Sequence, residues 1–281
     1  KKQIFWIILL CVSTLFLSIV ALGQGSSSSL DMWMTARIIL GIDEGTTLQS
    51  NIIWELRFPR VLMAIIAGIA LATAGALMQG CLGNPLVSPL TLGVSSGAAL
   101  GAATAIIVGY SVVNIPELMV VGNAFFFSLI VVGIIIKLGD MNSISAETYI
   151  LVGIAITFIS GAIVSTLQYF ASDEQLSQLA HWSFGSLSRP DLVNVMYISV
   201  AVLGLLPTAL KWSWDLNALA LGGDEFAIST GVNPRQIRRN ILILTALMTS
   251  IVIAFTGLIG FVGLAAPHMA RLIVGNDFRK L

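Results

Sequence analysis

Residues 57–101 read RFPRVLMAIIAGIALATAGALMQGCLGNPLVSPLTLGVSSGAALG. Arg57 and Arg60 flank Phe58-Pro59, and the run from Val61 to Met78 that follows carries no charge. A hinge with two prolines, Asn84-Pro85 and Ser88-Pro89, separates it from a second apolar run that begins with glycines. An uncharged apolar stretch of about 18 residues or more predicts a membrane-spanning helix, because roughly 20 residues rising 1.5 Å each cross the hydrocarbon core. Gly68, Ala72, Ala76 and Gly80 recur every fourth residue, as do Gly93, Gly97, Gly101, Ala105 and Gly109. Each series makes a smooth stripe where another helix backbone can approach closely. A lone anchor has no use for two such stripes, so the expectation is a packed helix bundle.

Working outward, 57% of the chain is hydrophobic and 10% charged, with a mean hydropathy of +0.94. Soluble domains carry about 25% charged residues. The composition therefore predicts an all-α integral membrane protein with many spans. A net charge of zero argues against nucleic acid as a partner. Cys11 and Cys81 lie far apart in or beside apolar runs, and His181 and His268 are the only histidines. Neither a disulfide framework nor a metal site follows from these residues.

The other apolar runs are Ile4–Leu22, Leu92–Gly109, Leu118–Ile136, Tyr149–Phe170, Leu192–Leu210, Ile241–Thr256 and Leu258–Val274. With Val61–Gln79 they give about eight transmembrane helices, or seven if the last two form one element kinked at Gly257. The first run follows Lys1 and Lys2 and is longer than a signal-peptide core, so it reads as a helix with a cytoplasmic N-terminus. Gly25–Ser29 reads as a flexible linker. Met32–Leu40 and Leu48–Leu56 are mixed segments too short to span, placed at the outer interface. This orientation puts Lys1, Lys2, Lys137, Lys211, Arg235, Arg238, Arg239, Arg271, Arg279 and Lys280 inside, ten of the 14 cations. Arg37, Arg57, Arg60 and Arg189 fall outside.

Tyr149–Phe170 repeats the stripe with Gly153, Thr157, Gly161 and Ser165, a face for helix packing or for a polar pathway. Ser172–Gln175 and His181–Ser186 read as an outer loop, with Trp182 and Phe184 in the interfacial aromatic belt. The longest inner loop, within residues 211–240, is KWSWDLNALALGGDEFAISTGVNPRQIRR. Gly222-Gly223 breaks the chain, Asp224 can cap a short helix, and Gly231 ends it. Asn233 then caps a second helix with Pro234 at its first position. Two short amphipathic helices joined by a glycine form a knob, more structure than contact with anionic lipid requires.

These blocks resemble one family. Arg57-Phe-Pro-Arg60, Gly75-Ala-Leu-Met-Gln79, Asn84-Pro85-Leu86 and Leu92–Ala98 look like the FecCD/BtuC-like permeases, the membrane subunits of ABC importers for ferric siderophores, haem and vitamin B12. Ala220–Glu225 with Gly231-Val232 resembles that family's ATPase-coupling loop, and Gly257–Leu264 with Pro267-His268 and Arg271 resembles its eighth helix. The resemblance implies a single permease domain over 1–281 belonging to a ten-helix fold, so that the chain stops short of two further helices. It implies a homodimer with the pathway between subunits, two cytoplasmic ATPases and an extracytoplasmic substrate-binding protein, all in the cytoplasmic membrane. Carried over residue by residue, Arg57 and Arg60 dock the binding protein, and Leu221, Gly222, Gly223, Asp224, Glu225, Gly231, Val232 and Arg235 engage the ATPase. ATP and Mg belong to that ATPase; this chain is expected to bind no cofactor and to catalyse nothing.

Two other classes compete. No GxxxxGK[ST] occurs, so energy must come from another polypeptide or from an ion gradient. A secondary transporter would bury ionisable groups in mid-membrane, whereas Glu147 and Asp191 lie at run ends. Gly93-Val94-Ser95-Ser96-Gly97 fits GxSxG, and His268, otherwise a buried hydrogen-bonding residue beside Pro267, would have to partner Ser95 in an intramembrane protease.

Overall fold

The computed structural model describes residues 2–25, 30–141 and 146–281, and regular structure among them is wholly helical. In chain order the helices are α1 (Lys2–Gly23), α2 (Met32–Ile39), α3 (Thr47–Cys81) and α4 (Val94–Val108). They continue with α5 (Met119–Met141), α6 (Ala146–Tyr169), α7 (Asp173–Phe184), α8 (Leu192–Lys211), α9 (Ser213–Ser229), α10 (Pro234–Thr256) and α11 (Val262–Val274). All eight apolar runs form helices, and the polytopic all-α class stands. Six helices among the described residues are long and apolar enough to cross a membrane: α1, α3, α5, α6, α8 and α10. α4 and α11 are shorter, rising about 20 Å against a core of about 30 Å. Residues at positive φ mark the limits: Gly93 (φ 87) and Gly109 (φ 73) flank α4, Gly257 (φ 78) ends α10 and Phe261 (φ 69) precedes α11. The last two runs are thus separate helices.

The chain divides into two compact units: residues up to Ala67 with Leu187–Ser199, and Gly68–Ser186 with Val200–Leu281. In the first, α1 exposes Ile4, Phe5, Leu15 and Phe16, a surface suited to lipid. Asp31 caps α2 by accepting from the Met34 N–H at 2.7 Å. Leu30, Ile38 and Ile53 close a small core with Met34 and Ile52. Leu48–Leu56 is no separate interfacial segment; it forms the first turns of α3. Thr46 and Gln49 make a reciprocal capping box that starts the helix, and nothing stops it for 35 residues, about 52 Å. Pro59 does not break it. Residues Ile52–Arg57 are π-helical, with the Phe58 N–H reaching the Ile53 carbonyl, and this widened turn relieves the clash a proline ring makes one turn back. Ser26–Ser29, most of the expected linker, and Lys1 lie outside the described residues.

In the second unit α10 is the central helix, two-thirds of its span buried. Gly97 and Gly101 bring α4 onto the backbone of α5. A Cβ at Gly97 would lie 2.9 Å from the Phe127 carbonyl oxygen, and one at Gly101 would overlap the Asn123 carbonyl. The Ser128 hydroxyl donates to Ser250 at 2.6 Å between α5 and α10. The region expected as an outer loop contains α7, begun by a Ser172–Gln175 capping box. There Gln175 donates to the carbonyls of Ile106 and Ile107, at 3.1 and 3.2 Å, which the π-helical end of α4 leaves without regular partners. Trp182 is not in an aromatic belt. It is 6% exposed and packs with Ala98, Ala102, Leu179 and Ile253, while Phe184 is 82% exposed.

Candidate functional site

The knob is built by its glycines. Gly222 and Gly223 interrupt α9, with Gly223 at φ 68, ψ −159, and a Cβ on Gly222 would strike Phe226. At the end of α9 the Gly231 N–H donates to the Ile228 carbonyl (3.0 Å) and the Val232 N–H to Ala227 (2.9 Å). With Gly231 at φ 85 this is a Schellman ending, which needs a left-handed residue at that position. Asn233 accepts from the Gln236 N–H at 3.2 Å and Pro234 begins α10. The second helix of the knob is therefore not a short one: no breaker lies between Arg239 and Ile241, so it runs on as the 23-residue α10.

Asp224 does not serve as a helix cap. Its carboxylate accepts both guanidinium nitrogens of Arg238, one at 2.8 Å. Arg238, 5% exposed, also donates through Nε to the Cys81 carbonyl at 3.0 Å, the last residue of α3. Nearby, Gln79 donates to the Leu264 carbonyl at 3.3 Å and accepts from Arg271, joining α3 to α11. Gly75 lies so close to Gly263 that a Cβ would overlap its carbonyl. A clasp covers the first part of α9. Asn217 donates to Asp277 at 2.8 Å and accepts from the Phe278 N–H, and Arg279 lies 4.3 Å from the centre of the Trp214 ring. Hydrogen bonds from Arg279, then Asn217, hold the Asp277 carboxyl well below the usual carboxylate range.

Around this frame the knob shows an apolar face: Leu221 is 79%, Ile228 63% and Phe226 43% exposed. Glu225 and Arg235 are exposed beside it. A groove of about 370 Å³ is lined by Asp224, Ile228, Gly231, Val232 and Arg235 among others, and one of about 750 Å³ by Trp214, Asn217, Leu221, Phe226 and Val232 among others. Of the residues expected to form this site, the structure brings together Asp224, Ile228's neighbours Gly231 and Val232, and Arg235. Sequence reasoning missed Arg238. Its signal was its phase, three, four and seven residues before Ile241, Leu242 and Thr245 on the buried face of α10.

The remaining expected residues fall elsewhere. In the first unit Arg60 is exposed, whereas Arg57 is half-buried and donates to the Leu22 carbonyl at 2.8 Å, closing the C-terminus of α1. Gly153 packs on Leu92, and the Thr157 hydroxyl bonds back to the Gly153 carbonyl at 2.9 Å. Gly161 and Ser165 are exposed on α6. In the stripe of Gly68, Ala72, Ala76 and Gly80 the packing is uneven: nothing lies within 4 Å of a Cβ on Gly68, whereas one on Gly80 would lie 2.5 Å from the Phe278 ring. His268 is exposed rather than buried, because one helical step of about 100° turns it away from the face that buries Pro267. Ser95 is 4% exposed and its hydroxyl has no hydrogen-bond partner among the described residues, hence no base to activate it.

The described residues thus form a polytopic helix bundle with a hydrogen-bonded knob that exposes an apolar face. The FecCD transport family matches residues 9–281, and the chain belongs to that family. It is the permease subunit type of ABC importers. A protein of Methanocaldococcus jannaschii named as an ABC transporter permease is 39% identical over 100% of this chain and 81% of its own length. The hemin transport system permease HmuU of Yersinia pestis is 39% identical over 82% of this chain and 69% of its own. Among solved structures, an inward-facing metal-chelate type ABC transporter aligns with TM-score 0.81 at 28% identity, over 98% of this chain and 82% of that one.

Proposed function

We propose that this chain carries a metal chelate of the siderophore, haem or corrinoid class across the cytoplasmic membrane by alternating access. Two copies frame the pathway, and ATP with Mg is hydrolysed on separate cytoplasmic ATPases. The apolar face of Leu221, Phe226 and Ile228, held out on a capped and hydrogen-bonded knob, is the observation that carries this reading. Exposed large apolar side chains in a patch rimmed by charge suit a protein partner better than water or lipid headgroups. The excess of Lys and Arg in the segments on the same side of the spans supports a cytoplasmic knob, the side on which ATPases act. On the outer side Arg60 offers a guanidinium to carboxylates of a binding protein. Selection of the chelate lies mostly with that binding protein. Membrane lipid covers α1 and the outer face of α6.

Replacing Leu221 and Ile228 together with Asp tests this. The membrane bundle should assemble at the parental level, since neither side chain is in its core, while the ATPase no longer co-purifies. Co-purification at the parental level would remove the knob as the ATPase seat.

A further inference from the structure

We infer that Arg238 is a positioning residue that makes the knob and the end of α3 move as one body. The inference rests on the proposed function and adds to it the route by which motion of the ATPase reaches α3. Three observations carry it. Arg238 is 5% exposed, on the otherwise uncharged buried face of α10, where an unpaired guanidinium would be strongly disfavoured. Its fork holds both oxygens of Asp224, the first residue after the Gly222-Gly223 break. Its third nitrogen donates to the Cys81 carbonyl, one of the last-turn acceptors of α3 that have no donor within the helix.

One side chain therefore joins three elements: the knob at its glycine hinge, the first turns of α10, and the end of α3. Without it the knob would hang from Gly223 and Gly231, two residues in conformations that glycine adopts freely, and a partner's push could be taken up by bending there. With it, a displaced Asp224 carries Arg238 and, through the Cys81 carbonyl, α3. Gln79, two residues earlier, then passes the displacement to α11 through Leu264 and Arg271. The planar guanidinium suits this because it offers a bidentate fork and a further donor in fixed directions; a lysine ammonium is a single point on a flexible stem.

The test uses the intact complex with its ATPase, in a Cys11→Ser background. Spin labels are placed at two exposed residues, Ser229 on the knob and Leu86 just beyond α3; Cys81 is buried and stays unlabelled. Their separation is measured without nucleotide and after trapping with MgATP and vanadate. In the parent the distance distribution should be the same in both states. In Arg238→Lys and Asp224→Asn it should shift or split on trapping, because the knob moves without α3. A parent distance that shifts on trapping would overturn the inference, as would both variants behaving like the parent. If Arg238→Lys fails to assemble, Asp224→Asn decides alone, since Asp224 is partly exposed and its loss of charge leaves the core packing intact. A separate arm keeps the two readings apart: a cysteine at Ser229 should be shielded from a maleimide by the bound ATPase. No shielding overturns the ATPase seat and the role of Arg238 with it. Shielding with unchanged distances in both variants overturns Arg238 only.

Discussion

The two charged regions expected to meet partners are built in opposite ways. At the knob, two glycine breaks, a Schellman ending, an Asn233 cap and a buried Arg238 fix a short stretch of backbone. At Arg57 and Arg60 there is only the side of a long helix. Arg57 is already engaged by the Leu22 carbonyl, and Arg60 is a single exposed side chain on that helix. A surface that must transmit displacement needs a rigid frame beneath it, whereas one that only recognises charge can rest on single side chains whose value is set by the partner.

The largest effect should come at the outer end, and it should be unequal. Arg60→Glu would place like charge against the proposed binding protein, at a cost of several kcal/mol of association. Arg57→Glu acts less on docking, because that guanidinium serves α1. The Arg57 bond to a carbonyl contributes about 1.5–3 kcal/mol of local order, so its loss should show as faster amide exchange at the end of α1. Affinity for the binding protein, measured for each variant in nanodiscs, checks this. Equal losses would break the contrast drawn for that end, and unchanged affinity in the double variant would remove docking as the role of both.

At the knob, Gly231→Val forces a β-branched residue to φ 85 and should cost about 1–2 kcal/mol of local order. Nothing lies within 4 Å of a Cβ there, so the effect is conformational and not steric. The bundle should assemble while ATP hydrolysis runs without transport. Transport at the parental ratio to hydrolysis would mean that the Schellman ending is not needed for coupling.

This strain was legible in the sequence, as were the Asn233-Pro234 helix start and every apolar run, because each is a local rule written in adjacent residues. What was hidden depends on residues far apart. Leu48–Leu56 read as a separate interfacial segment, but the π turn just before Pro59 lets one helix run through it. Trp182 looked interfacial because its burial comes from α4 and α10, not from its neighbours in sequence. Arg235 was singled out and Arg238 was not, since only the fold puts Arg238 against both Asp224 and Cys81. The Gly68–Gly80 stripe was legible in part: Gly80 packs against Phe278, while the closest backbone approach is Gly75 on Gly263, one residue out of phase.

A smaller effect concerns the clasp beside the knob. The Asp277 carboxyl is depressed by Arg279 and Asn217. Its contribution is therefore fully present above the usual carboxylate range, about pH 4, and is lost only as pH falls toward its lowered value. Amide exchange at Phe278, whose N–H donates to Asn217, should show the same protection at pH 8 and pH 5 once corrected for intrinsic rates. Loss of protection between those values would mean that the carboxylate does not hold the clasp.

The claim that the knob faces the cytoplasm and seats the ATPase is tested most directly by cysteines at Ser229 and Ser172, in a Cys11→Ser background, with an impermeant maleimide. In sealed cells Ser172 should label from outside and Ser229 should not; in inverted vesicles Ser229 should label only after the ATPase has been stripped away. Labelling of Ser229 from outside, or equal labelling with and without the ATPase, would contradict the account.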